Sequence, residues 1–224
     1  MMPVLIGDRG RVRVVTLNRP EKRNALNLAL CEAVVKALAA AAEDESVAAV
    51  VIAGAGAGFS AGADLGERKL YADAPDMQTR RAQAGMAMLR LPGQMGKPVV
   101  AAVHGPTVGA GSTLALACDM IVASEDVKIS YPEAKHDIYP SLVMPTLLRH
   151  LGPKDCFELL ATGRVVLAEE ALRLRLVNLV VPAGELVDRA CAVAEGAALY
   201  GAASMKRIKA AIDALGQGVV PSAP

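Results

Sequence analysis

Two stretches of this chain, Ala48-Ala49-Val50-Val51-Ile52-Ala53 and Val99-Val100-Ala101-Ala102-Val103, contain no polar side chain. Each is short, rich in valine and bounded by Gly54 or Pro98, so each reads as a buried strand. Helical patterns stand around them. Leu26, Leu30, Val34, Leu38 and Ala41 recur at helical spacing and predict an amphipathic helix to about Asp44. Leu70 to Leu91 reads as a charged helical stretch with Met86 and Leu89 as core candidates. Val12 to Leu17, Met120 to Ala123, Val127 to Ser130 and Val177 to Val181 read as further strands. Further helices are expected over Thr113–Ala117, Met144–His150, Asp155–Thr162, Glu169–Arg175, Glu185–Leu199 and Ala202–Leu215. Strands alternating with helices define an α/β chain.

The 224 residues suffice for one domain with its own core. At 53% hydrophobic and 21% charged residues, a disordered chain is excluded. A net charge of +1 with both signs interspersed gives no nucleic-acid or membrane surface. No apolar run reaches the roughly 18 residues of a transmembrane helix, and the first residues lack the basic and apolar regions of a secretory signal. A cytoplasmic location is expected. Cys31, Cys118, Cys156 and Cys191 are far apart and form no CxxC pair, which fits buried reduced thiols. His104, His136 and His150 show no metal spacing, so no metal is expected.

Chemistry is concentrated in two glycine-rich turns, each following an apolar strand. The first runs from Gly54 to Leu65. Its GxGxG spacing is not the GxGxxG of a dinucleotide loop. Gly58-Phe59-Ser60-Ala61-Gly62 matches GxSxG, yet a nucleophile elbow should turn directly out of its strand, and Gly54 to Ala57 intervene. A flexible strand-to-helix turn is the plain alternative. The second turn, from His104 to Gly111, leads into small and apolar residues. Helix-start amides have no intrahelical partner. Two such turns can supply two convergent N–H donors to one oxygen, an oxyanion hole.

With these blocks in view, the sequence resembles the enoyl-CoA hydratase/isomerase (crotonase) family over about residues 4–210. The resemblance is carried in order by Leu17-Asn18-Arg19-Pro20-Glu21-Lys22-Arg23-Asn24-Ala25-Leu26, Phe59-Ser60-Ala61-Gly62-Ala63-Asp64-Leu65, His104 to Asp119, Tyr131-Pro132-Glu133, and Gly163 to Asn178. It implies a spiral of ββα units over 1–182 and a C-terminal helical region over 183–215 in the same unit; residues 216–224, rich in Gly, Pro and Ser, read as a flexible tail. It implies an acyl-CoA substrate, with coenzyme A as part of the substrate and no separate cofactor. It also implies a homotrimer or a dimer of trimers.

The resemblance makes the amides of Ala63 and Ala110 the oxyanion donors and Glu133 the acid/base. It places Ala61, Asp64 and Leu65 along the acyl-CoA channel. Lys22, Arg23 and Ala25 fall beside the adenine and 3′-phosphate end, where Lys22 and Arg23 fit either phosphate partners or a solvated loop. Two positions depart from the family pattern. Thr113 stands where hydratases of the family carry their first glutamate, and Ser141 replaces a glycine in the Tyr139–Pro145 stretch that shapes the acyl pocket. His136 and Asp137 fit either a pair supporting Glu133 or a surface loop. One retained carboxylate moves the expectation from hydratase toward isomerase. A thioester hydrolase using water or Ser60, a decarboxylase, and a non-catalytic acyl-CoA binder are the alternatives.

Overall fold

The two apolar runs lie in the middle of a six-stranded sheet. The computed structural model describes residues 2–216; the tail expected over 216–224 falls outside them except for Gly216. In chain order the elements are β1 (Val4–Arg9), β2 (Val12–Leu17), α1 (Leu28–Glu43), β3 (Ala49–Gly54), α2 (Leu65–Leu70), α3 (Pro75–Gln94), β4 (Val99–Val103), β5 (Pro106–Val108) and α4 (Ala110–Leu116). There follow β6 (Met120–Ser124), β7 (Lys128–Ser130), α5 (Val143–Leu148), α6 (Pro153–Thr162), β8 (Val165–Leu167), α7 (Ala168–Arg173), β9 (Leu179–Val181), α8 (Leu186–Ala198) and α9 (Gly201–Gly216). The main sheet has the order β1-β2-β3-β4-β6-β9, antiparallel only between β1 and β2. A second sheet, β5-β7-β8, stands beside it.

Lack of alternation in β3 and β4 has a simple cause. Val50, Ile52, Val99, Ala101 and Val103 belong to one apolar cluster, together with residues of α1, α3 and α4. Ala49, Val51, Ala53, Val100 and Ala102 belong to a second, which α8 closes with Leu186, Ala190, Cys191 and Ala194. A parallel sheet covered on both faces has no polar face to show. Ala190 and Ala194 are fully buried, so a larger side chain there would overpack the contact at a cost of about 1–3 kcal/mol.

Both ends of α1 are fastened. The Asn27 side chain accepts the Leu30 amide at 2.9 Å as its N-cap. At the other end the buried Lys97 ammonium donates to the carbonyls of Ala41 and Asp44 at 2.7 Å each, meeting acceptors that a helix end leaves open.

The single helical stretch expected over Leu70 to Leu91 is two helices. α2 ends at Leu70, and Pro75, whose missing N–H costs nothing in a first turn, begins α3. The phase of α3 buries Met88 and leaves Met86 only half-covered, while Leu89 packs against the core as expected. Strands β1, β5 and β8 were not expected. β1 is an edge strand exposed along most of its length, and the other two have three residues each.

α9 differs from the other long helices in burying none of its residues. Its Lys209 ammonium nevertheless reaches inward. It donates to the carbonyls of Pro92 at 2.9 Å and Lys97 at 2.8 Å and pairs with Asp119 at 2.6 Å. Asp119 also accepts the Val99 amide at 2.7 Å. Among the described residues no helix is long and apolar enough to cross a membrane. The four cysteines are buried and unpaired, and burial raises the Cys31 thiol to about 11, leaving it protonated at neutral pH.

Candidate active site

The first turn is held amide by amide. Phe59 N–H donates to the His104 carbonyl at 2.9 Å, Ser60 to Pro106 at 3.2 Å, Ala61 to Arg23 at 2.8 Å and Asp64 to Leu26 at 3.1 Å. Gly62 N–H donates to the Ser60 hydroxyl at 3.2 Å. In this run the Ala63 amide alone has no partner among the described residues, and Ala63 is exposed.

Asn24 organises that loop from beneath. It is fully buried with a left-handed φ of 54°, a conformation that asparagine tolerates better than most residues. Its side chain donates to the carbonyls of Ala55 at 2.8 Å and Gly58 at 3.0 Å and accepts the Arg19 amide at 2.9 Å. Its own carbonyl accepts the Ser60 hydroxyl at 2.8 Å. The buried Ser60 is therefore a strut of the loop. Its oxygen has no histidine partner among the described residues, while His104 Nε2 faces the Gly56 carbonyl at 2.9 Å. The nucleophile-elbow alternative lacks its Ser–His contact.

The two turns lie against each other. Ser60 bridges Thr107, and Val108 N–H donates to the Ser60 carbonyl at 2.9 Å. A Cβ on Gly62, whose φ is 85°, would stand 2.7 Å from the Val108 carbonyl oxygen and 3.5 Å from the Ala110 nitrogen. The place is open only to glycine, and it sets the Ala63 loop next to the Ala110 amide. Gly109 N–H is taken by the Ser130 carbonyl at 2.9 Å, and its carbonyl receives Thr113 N–H at 2.9 Å. The Ala110 amide, first in α4, has no partner among the described residues.

Glu133 approaches from the other side. It begins a single 3-10 turn, Glu133–His136, and a Cβ on Gly109 would collide with its Oε1. Its Oε2 is buried without a hydrogen-bond partner among the described residues. Burial pushes its carboxyl above the usual range, against the opposing pull of its own backbone amide and His136. Thr113 is buried, and its hydroxyl donates to the Gly109 carbonyl at 3.0 Å. His136 and Asp137 are both exposed.

The remaining sequence candidates fall in three places. Lys22 and Arg23 are exposed, and the Arg23 carbonyl holds the Ala61 amide. Ala25 and Ala61 are half-buried between that loop and the first turn. Asp64 is occupied. Its Oδ1 accepts the amides of Gly66 and Glu67 at 3.1 Å each, and its Oδ2 pairs with Arg19 at 3.0 Å. Burial alone would raise its carboxyl, but these donors outweigh it and hold it below the usual range. Leu65 follows, 37% exposed. Ser141 is exposed, and its amide turns back to the Tyr139 carbonyl at 2.9 Å.

Several contributors were not singled out from sequence. Asn24 was quoted only as part of a loop. Glu67 accepts the Leu28 amide with both oxygens, at 3.1 and 2.9 Å, and pairs with Arg81 at 3.0 Å, tying α2 to α1 and α3. The Tyr131 hydroxyl lies 2.8 Å from the Ser112 hydroxyl in a buried hydrogen bond. Among the described residues no cluster of His, Cys, Asp and Glu could hold a metal ion.

Comparison with known proteins gives one consistent answer. Residues 8–218 match the family model described as enoyl-CoA hydratase/isomerase. A Thermus thermophilus protein, provisionally named an enoyl-CoA hydratase, is 40% identical over 210 residues, covering 93% of this chain and 83% of that relative. The 2,3-dehydroadipyl-CoA hydratase of Escherichia coli is 33% identical over 213 residues, covering 95% and 82%. The crystal structure of an enoyl-CoA hydratase from Polaromonas superposes with a TM-score of 0.89 at 31% identity, covering 95% of this chain and 83% of that one.

Proposed function

This chain belongs to the enoyl-CoA hydratase/isomerase family, and from that premise we propose that it converts an enoyl-CoA thioester through an enolate. The amides of Ala63 and Ala110 hold the thioester oxygen, and Glu133 moves the proton. One observation carries the reading: Glu133 sets its Oε1 against Gly109 and keeps a buried Oε2 without a partner among the described residues, while the amides of Ala63 and Ala110 have no partner among those residues either.

The chemistry follows from that arrangement. When a proton leaves the α-carbon, its electron pair moves into the carbonyl and charge grows on oxygen. Preoriented amides there stabilise the transition state, and loss of one such donor costs about 2.7–4 kcal/mol. Glu133, with its proton affinity raised by burial, is suited to accept a proton at one carbon and return it at another. Thr113 offers no second carboxylate, and its hydroxyl hydrogen is engaged by Gly109. This favours isomerisation, in which one carboxylate suffices. Hydration is the second reading, favoured by the names of the relatives.

Incubation with 2-enoyl and 3-enoyl CoAs followed by mass spectrometry decides between them. A shifted double bond at unchanged mass is expected. A gain of water overturns the isomerase reading, release of free CoA indicates a thioesterase, and binding without turnover indicates a binder. By resemblance we also read the assembly as a homotrimer or a dimer of trimers. The exposed Phe157, Val165 and Leu167 on α6 and β8 are compatible with a buried contact. Light scattering at micromolar concentration tests it.

A further inference from the structure

Glu133 needs a fixed position, yet its buried Oε2 has no partner among the described residues to supply one. The carboxyl bonds to the backbone amide of Glu133 itself, so its position follows the backbone of Ser130 to Glu133. That segment is joined to the start of α4 at two points. One is main chain, from Gly109 N–H to the Ser130 carbonyl at 2.9 Å. The other joins two side chains, Ser112 and Tyr131, at 2.8 Å. Both side chains are buried, Tyr131 fully and Ser112 at 2% exposure, so water cannot readily substitute for either.

We propose that the Ser112–Tyr131 hydrogen bond sets the spacing between the Glu133 carboxylate and the Ala110 amide, making Ser112 and Tyr131 positioning residues of the reaction. Ser112 stands two residues after Ala110, in the first turn of α4. Tyr131 stands two residues before Glu133. The bond thus spans the two groups that must face one substrate: the donor for the oxygen and the base for the carbon. Tyr131 also feels the carboxylate. Burial raises its phenol first, Ser112 opposes this, and the Glu133 charge raises it further. Gly109 lies between the two ends with no side chain, so the glycine cannot hold Glu133 through a side-chain contact. Small displacements of a reacting group carry large kinetic costs.

The inference rests on the reading of Glu133 as the acid/base. The test is a double-mutant cycle of Tyr131→Phe, Ser112→Ala and their combination, assayed with the enoyl-CoA that the wild-type protein turns over best. Each single variant is expected to lower kcat roughly tenfold with KM changed less than twofold, and the double variant should be no worse than either single. Val34→Ala, a core truncation in the middle of α1, supplies a destabilised control that should leave kcat and KM unchanged. A kcat within twofold of wild type in Tyr131→Phe overturns the proposal, as do losses that multiply in the double variant or a change confined to KM. If Tyr131→Phe does not fold, Ser112→Ala alone decides by the same kcat criterion. Glu133→Gln is run alongside. Turnover that survives in Glu133→Gln removes the underlying reading. Turnover lost there but kept in Tyr131→Phe removes only the positioning role.

Discussion

Asp64 and Glu133 are both carboxylates beside the same pair of turns, yet the fold treats them in opposite ways. Burial acts on both in one direction, toward the neutral acid. Asp64 meets two amides and a guanidinium, and its carboxyl ends below the usual range. Glu133 keeps one buried oxygen without a partner among the described residues, and its carboxyl ends above it. Donor supply and depth together separate a carboxylate that fastens a helix from one available for proton transfer.

The sharpest test of that difference removes the charge from the group with the unpartnered oxygen. Glu133→Gln should lower turnover roughly 10²–10⁴-fold, the usual contribution of acid–base catalysis, with little change in thioester affinity. Steady-state kinetics with the preferred enoyl-CoA measures it, and near wild-type turnover would make Glu133 structural and break the comparison. Asp64→Ala should fail differently. Losing an N-cap and a partly buried ion pair should cost about 2 kcal/mol of stability, which thermal melting would read as a Tm lower by about 4–8 °C.

Opposite pKa shifts also demand opposite pH responses. A group raised in the folded state favours folding below its ordinary value, 4.5 for Glu133, and that contribution is lost as pH rises through the raised value. A group lowered in the folded state favours folding above its ordinary value, 3.8 for Asp64, and that contribution is lost as pH falls. Glu133→Gln should therefore melt slightly higher than wild type at pH 7, with the advantage vanishing toward pH 4. Asp64→Asn should show its deficit at pH 7 and lose it in acid. Melting curves across this range would reverse the argument if both variants moved in the same direction. The smallest effect is expected at Thr113→Val, where loss of one hydroxyl bond to Gly109 should cost about 1 kcal/mol and leave turnover within about tenfold of wild type.

What could be read in the sequence follows from where the signal lies. β3 and β4 were legible because both faces are covered, leaving uninterrupted apolar runs. β1 was not, because an exposed edge strand carries no burial pattern. The break between α2 and α3 was marked by Pro75 but passed over, and the weak apolar periodicity of the charged stretch after it let Met86 stand in for Met88. At the site, glycine spacing marked both turns, and resemblance supplied Ala63, Ala110 and Glu133. The structure sets Gly62 close to the Ala110 nitrogen and Gly109 against the Glu133 carboxyl. Asn24, Ser112 and Tyr131 act through partners distant in sequence or across a turn, and no local pattern shows which hydroxyl or amide will meet which.

The attachment of α9 gives the molecule a seam. Ile208, Ile212 and Leu215 remain 50%, 66% and 58% exposed, so the helix shares little apolar surface with the body it rests on. Lys209 carries much of the contact by gathering Pro92, Lys97 and Asp119 around one ammonium group. A segment held in this way is expected to open as its own unit, at a free energy below that of global unfolding. Its amides would exchange with solvent while those of β3 and β4 stay protected, and a protease would reach it in molecules whose sheets remain intact.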